Sequence, residues 1–296
     1  MKTSYAEARV GTECLICGTT NHLVESLQCK KCSAPMSLAQ DSAAQAGDHQ
    51  IISILGASNV GKTVYLGFLL DMLSQRAGAF EAIPVGAYSI DVQQAVISHM
   101  ANRTFPPKTP MEADQWYWAY YQIGRQEGGT TQWVDLIMPD MAGESLAAEV
   151  AAPDTFRVIR SLVTKSAGIL LLVDAALAAN GSSQPDFFGL KMLSYIDSMN
   201  GTPRDQLIRT PLGIVLCKAD YCPECFDDPR RFAEANFNRL WNMCRNRCAN
   251  IEFFACSVVG SLAYATAPQD DYVVPLPLHT ALRGVLEPFQ WIANQL

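Results

Sequence analysis

The segment GASNVGKT, residues 56–63, spaces two glycines, a lysine and a threonine as G-x-x-x-x-G-K-T. An apolar run, Ile51–Leu55, precedes it and the stretch VYLGFLL follows, so a strand, a tight loop and a helix are expected in that order. Gly56 and Gly61 let the backbone turn, which aims the N–H groups from Ser58 through Asn59, Val60, Gly61, Lys62, Thr63 and Val64 at an anion. The helix that follows adds its N-terminal dipole. In such a loop Lys62 reaches β- and γ-phosphate oxygens, and the Thr63 hydroxyl ligates Mg²⁺.

Three later segments supply what a phosphate loop lacks. Asp140 to Gly143 reads D-x-x-G at the end of the run VDLIMP. There the Asp140 carboxylate would hold the Mg²⁺ shell and the Gly143 N–H would meet a γ-phosphate. LCKAD brings Lys218 and Asp220 to the end of another apolar run. Guanine offers two adjacent donors, N1–H and the 2-amino group, that the Asp220 carboxylate can accept together, while the Lys218 stem lies along the base. Ser257, in FFACSVVG, would back the same ring. Between the first helix and the aromatic run, NRTFPPKTPMEAD contains Thr104 and Thr109. Thr109, nearer the following strand and shaped by Pro106 and Pro107, is preferred as the γ-phosphate and Mg²⁺ sensor, with Thr104 as the other candidate.

In this order the motifs resemble those of the Ras-like, translation-factor-related P-loop GTPases, over residues 50 to 296. A narrower similarity, to the bacterial double-GTPase proteins, rests on the PPKTP loop, the DMAGE loop and a cysteine ribbon in front. The resemblance implies GTP and GDP as ligands and a Ras-like P-loop fold. It also implies a protein partner, either a second GTPase or an effector, in a multi-protein signalling or conflict system. Two positions depart from the pattern. Cys217 stands where Asn or Thr usually supports the base, and Glu144 stands where a glutamine usually orients the attacking water. With Lys62, Thr109 and Glu144 as the catalytic set and no arginine identifiable as an internal finger, slow hydrolysis accelerated by a partner is expected. An ATP-using P-loop enzyme and a non-catalytic nucleotide-binding scaffold are the competing readings.

Cys14, Cys17, Cys29 and Cys32 form C-x2-C-x11-C-x2-C. Two knuckles of two thiolates make a tetrahedral zinc site, and so small a segment needs the metal to fold. Only Lys30 and Lys31 make it locally basic, which favours protein docking or a structural role over nucleic acid. Cys222 and Cys225, followed by Cys244 and Cys248, either close a second zinc site or are small core residues. Two zinc atoms per chain would mark the first case.

These residues need a scaffold of strands covered on both faces. IISIL, GILLLVD, LGIVL and EFFAC are apolar without alternation, as in a parallel sheet with helices on either side. Strands are expected near 50–55, 115–123, 131–138, 168–174, 211–216 and 251–256, with helices near 62–76, 144–165, 186–200, 228–248 and 278–295. RQEGGT joins the second and third strands as a hairpin. The fold class is α/β: a doubly wound, mostly parallel sheet with an antiparallel edge, preceded by a small zinc ribbon. Residues 1–33 would be the ribbon, 34–48 a linker rich in Ser, Ala and Gln, and 49–296 the nucleotide-binding domain. The aromatic run QWYWAYY reads as hairpin packing rather than base stacking, and His99 and His279 have no companion ligands.

Composition excludes other classes. A net charge of −7 and a pI near 5.1 provide no basic field for nucleic acid. The apolar runs are too short for a membrane span, and the first residues lack the apolar core of a signal peptide. Ten cysteines then fit a reducing cytoplasm, as metal ligands or buried thiols.

Overall fold

The computed structural model describes residues 11–21, 27–44, 49–76, 80–127, 130–201, 203, 206–266 and 273–296. Two short strands, β1 (Thr12–Glu13) and β2 (Thr20–Asn21), pair antiparallel and lead into helix α1 (Ser37–Ala43). The main chain then runs β3 (His49–Gly56), α2 (Lys62–Ser74), β4 (Phe80–Pro84), α3 (Asp91–Ala101), β5 (Trp118–Glu127) and β6 (Thr130–Pro139). It continues through α4 (Gly143–Ala151), α5 (Arg157–Lys165), β7 (Gly168–Asp174), α6 (Ala175–Ala179), α7 (Gln184–Met199) and β8 (Leu212–Cys217). The last elements are α8 (Glu224–Asp227), α9 (Pro229–Asn236), α10 (Asn238–Arg247), β9 (Ile251–Thr266), β10 (Val273–Arg283) and α11 (Leu286–Ala293).

Eight strands form one sheet in the order β10-β9-β8-β7-β3-β6-β5-β4. The centre is parallel: β3 pairs with β6 and β7, β7 with β8, and β8 with β9. Adjacent residues of the central strands point into different cores, which is why their sequences are apolar throughout. Ile51 and Leu55, with Ile169 and Leu171, join the core that contains Leu146, Ile159 and Met192. Ile52 and Ile54, with Leu170 and Leu172, join the core that contains Leu66, Val96 and Phe289. The expected antiparallel edge is present, as β4-β5-β6. The turn residues Gly128 and Gly129 of its hairpin lie outside the described residues. Trp116, Trp118, Tyr120 and Tyr121 are buried, so the aromatic run serves packing.

Four expectations change. The helix expected over 278–295 is mostly strand: β10 pairs antiparallel with an extended β9, and only Leu286–Ala293 is helical. Pro275 and Pro277 are at home on this edge strand, where a missing N–H is tolerated. Gly284, at φ +69°, makes the turn into α11, and a Cβ there would lie 1.8 Å from the Ala255 carbonyl oxygen. The helix expected over 144–165 breaks in two because buried Glu149 accepts the Asp154 and Phe156 N–H groups at 3.0 and 2.7 Å. Likewise the 228–248 segment splits at Phe237, where the Asp186 carboxylate accepts the Leu240 N–H at 2.9 Å and caps α10. β4 and α3, which no expectation covered, complete the edge beside α2. The segment expected as a linker carries α1, with Ala34, Met36 and Leu38 buried in the same core as Leu146 and Ile159.

Candidate functional site

The loop between β3 and α2 opens at the C-terminal end of the sheet, the edge at which α/β folds gather ligands. Asn59 holds φ at 64°, a left-handed conformation that Asn tolerates better than most side chains. The Lys62 ammonium reaches back to the Ala57 carbonyl oxygen at 3.0 Å. Burial lowers the Lys62 pKa, while Asp140 and Glu144 oppose that shift.

Three side chains from separate segments meet at one point beside this loop. The Thr63 and Thr109 hydroxyls each donate to Asp140 Oδ2 at 2.9 Å, and they lie 3.1 Å from one another. Asp140 Oδ1 is buried and has no hydrogen-bond partner among the described residues. Burial pushes the Asp140 pKa up, against the pull of Lys62 and the two hydroxyls. Two hydroxyls and a carboxylate with an unused oxygen are a hard oxygen donor set, and this fits Mg²⁺. Thr104 goes elsewhere: its hydroxyl donates to the His99 carbonyl oxygen at the end of α3.

Gly143 opens α4 against the phosphate loop. A Cβ at Gly143 would lie 2.2 Å from the Ser58 nitrogen, so only glycine allows this approach. The approach puts Glu144 next to Ser58, whose hydroxyl donates to Glu144 Oε1 at 2.6 Å. Lys108 Nζ stands 3.4 Å from the same oxygen. The Ser58 hydroxyl, and behind it Lys108, hold the Glu144 carboxyl below the usual carboxylate range.

At the other end, Lys218 sits at φ 59° after β8 and pairs with Asp174 Oδ2 at 2.5 Å. Asp174 also caps α6, accepting the Leu177 N–H at 2.9 Å. The Ser257 hydroxyl donates to Asp220 Oδ1 at 2.9 Å. Cys217 lies at the back of this pocket, and burial, then the Asp174 charge, push its thiol up to about 12. A single cavity of about 960 Å³ runs between the two ends. Ser58, Asn59, Val60, Gly61, Lys62, Thr63, Val64, Thr109, Gly143, Glu144, Lys218 and Asp220 line it, while Gly56, Asp140 and Ser257 stand behind its wall. Sequence reasoning missed Asp174 and Lys108, which also line it, together with Tyr221 and Tyr264 at the Lys218 end. A carboxylate at the tip of a central strand was the available signal for Asp174. Arg125 lies apart, bonded to Asn294.

The four ribbon cysteines converge. Their Sγ atoms all lie within 4.8 Å of one another, with Cys14 and Cys32 at 3.7 Å and Cys17 and Cys29 at 3.5 Å. A tetrahedron of sulfurs at zinc distance has edges of about 3.8 Å, so the cluster fits zinc. The hydrogen bond from the Cys32 thiol lowers the Cys14 pKa, toward the thiolate that a metal requires. The second cysteine group does not converge in this way. Cys222 and Cys225 touch at 3.3 Å, Cys244 lies against Cys248, and among the described residues the ribbon is the one cluster with metal-ligand geometry.

A phosphate loop on a mostly parallel sheet, with hydroxyl and carboxylate donors beside it and a Lys-x-Asp pocket at its far end, defines a P-loop protein of the GTPase type. Residues 53–202, just over half of the chain, match the family model described as Double-GTPase 1, and the chain belongs to that family. Solved structures offer looser likenesses. Nucleolar GTP-binding protein 1 of Plasmodium falciparum is 12% identical over 85% of this chain and 88% of its own, with a TM-score of 0.37. The GTP-bound Ski7 GTPase-like domain of S. cerevisiae is 16% identical over 74% of this chain, which spans only 44% of it, at a TM-score of 0.38. In the signal recognition particle receptor SRb-GTP/SRX complex of Chaetomium thermophilum, a chain is 14% identical over 76% of this one and 95% of its own, at 0.40. No curated protein matches the sequence.

Proposed function

We propose that this chain is a GTP-binding molecular switch with slow intrinsic hydrolysis that a protein partner accelerates. The observation that supports this most is the single cavity that has the phosphate loop and the Asp140, Thr63 and Thr109 group at one end and Lys218 and Asp220 at the other. In this reading the loop from Ser58 to Val64 and the Gly143 N–H bind the phosphates, and Lys62 neutralises them. Asp220, steadied by Ser257, accepts the two guanine donors, and Lys218, steadied by Asp174, packs along the ring. Thr63, Thr109 and Asp140 would hold Mg²⁺, which when bound neutralises charge on the β- and γ-phosphate oxygens. Glu144 accepts a hydrogen bond from the water that attacks the γ-phosphorus; the bond to the β-phosphate oxygen breaks, giving GDP and phosphate.

The partner would be a second GTPase, which the family name supports, or an effector, within a bacterial multi-protein signalling or conflict system. The four-cysteine ribbon would hold zinc and dock proteins. No helix among the described residues is long and apolar enough to cross a membrane, and ten cysteines without a disulfide among them support a cytoplasmic place.

The nucleotide and metal that copurify with the chain test this directly. GDP or GTP with Mg²⁺, tighter binding of GTP than of ATP, and loss of both binding and turnover in Lys62→Ala are expected. Equal affinity for ATP would replace the reading with an ATP-using enzyme. Nucleotide-independent partner binding without turnover would replace it with a scaffold.

A further inference from the structure

A carboxylate that orients the attacking water has to sit beside the γ-phosphate, where like charge repels it. Here two segments converge on that carboxylate. Ser58 from the phosphate loop and Lys108 from the loop ahead of β5 both bind Glu144 Oε1, at 2.6 and 3.4 Å. Lys108 directly precedes Thr109, whose hydroxyl contacts both Thr63 and Asp140. One residue of this loop therefore faces the oxygen donors, and its neighbour faces Glu144. Lys62, the other cation at this end of the cavity, is turned to the Ala57 carbonyl. Lys108 is thus the cation placed to serve Glu144. Its side chain is 65% exposed and that of Glu144 37%, so the pair contributes little to stability. Its consequence lies in where it holds the carboxylate.

We propose that Lys108 is a positioning residue for GTP hydrolysis: its ammonium neutralises Glu144 and, with the Ser58 hydroxyl, holds Oε1 so that Oε2 faces the attacking water. The inference rests on the reading of the site as a GTPase. It also accounts for a glutamate at a position that a neutral amide could fill, because the chain carries the counter-charge itself.

Single-turnover GTP hydrolysis, with GTP affinity measured alongside, tests this in five proteins: the full chain, Lys108→Ala, Lys108→Arg, Glu144→Gln and the Lys108→Ala/Glu144→Gln double variant. Lys108→Ala is expected to slow the chemical step on the order of ten- to hundredfold. Its GTP affinity should stay within about twofold, because the contact is made to Glu144 and not to the base or the loop. Lys108→Arg should restore most of the rate. In the Glu144→Gln background, Lys108→Ala should change the rate less than about twofold, since an amide has no charge to neutralise. An equal loss in both backgrounds would mean that Lys108 acts on the phosphate directly and would overturn the proposal. So would a faster Lys108→Ala protein, which would make the contact an inhibitory latch. Absence of GTP turnover in the unmodified chain, even with its partner, would remove the GTPase reading itself and this proposal with it.

Discussion

Asp220 and Lys218 are each held from behind by another polar group, and in the proposed reading those supports set how guanine is held. Lys218 occupies a left-handed backbone conformation that a long side chain adopts only when its surroundings impose it, and the Asp174 ion pair does so. Asp220 keeps one carboxylate oxygen on Ser257 and has the other for a ligand. Asp220→Ala removes two hydrogen bonds to a charged acceptor, each about 1.5–3 kcal/mol, so GTP should bind at least about a hundredfold more weakly. Ser257→Ala loosens the support alone and should cost less, about 1 kcal/mol. Isothermal titration with GTP and ATP checks both: in Asp220→Ala the preference for GTP should vanish, and its retention would move guanine recognition to another residue. The placement of Lys218 and Asp220 on the cavity, with Ser257 beside Asp220, was legible because it follows from short local motifs. Asp174 was not, since its role depends on β7 and β8 lying side by side, a fact of topology that no local spacing carries. Lys108 was hidden for the same reason, since its partner is 36 residues away on α4.

Among the elements, the central strands were legible because burial on both faces leaves an uninterrupted apolar run. The edges were not. After its two prolines β10 mixes small, apolar and polar residues, LHTALR, which fit a helix as well as a strand; pairing with β9 decides for strand. β4 is five residues long, too short for a pattern, although α3 beside it did carry one, with Val92, Val96 and Met100 buried at helical spacing. The helix breaks at Asp154 and Phe237 come from buried carboxylates, Glu149 and Asp186, that capture backbone N–H groups from a distance in space. The start of α4 matters most for the site, because it lies on the phosphate loop with no room for a methyl group. Gly143→Ala must push α4 away from Ser58 and take Glu144 with it. Overpacking of this kind costs about 1–3 kcal/mol. Thermal unfolding should register that loss, and nucleotide affinity should fall as well. A Gly143→Ala protein with unchanged affinity and melting temperature would show that the contact is slack.

At the scale of the molecule, the ribbon does not hang from a flexible linker. Cys14, Ile16, Ala34, Met36 and Leu38 share one core with Leu146 and Ile159, and two polar contacts join the same bodies. Lys165 Nζ donates to the Leu15 carbonyl oxygen at 3.0 Å, and the Tyr88 hydroxyl donates to Asp41 at 2.9 Å. Composition alone made residues 34–48 a linker because Ser, Ala and Gln predominate; the few apolar residues among them are the ones that dock. Metal state should therefore reach the whole chain. Without zinc, four thiols replace the tetrahedral centre, and the knuckles that carry Ile16 and Ala34 lose the geometry that seats them. The metal-free chain should then melt several degrees lower, at about 2–4 °C per kcal/mol for a domain of this size. The sign with pH follows from the ligands. Zinc binds thiolates, so the stabilisation is present near neutral pH and is lost on acidification as protons displace the metal. Metal analysis should find one zinc per chain, because Cys222 and Cys225 form one pair and Cys244 and Cys248 another. Calorimetry on the zinc-loaded and chelator-treated chain decides the coupling. If the main transition keeps its temperature while zinc is lost, the ribbon is an independent module; a shift of that transition shows that its metal stabilises the nucleotide-binding body.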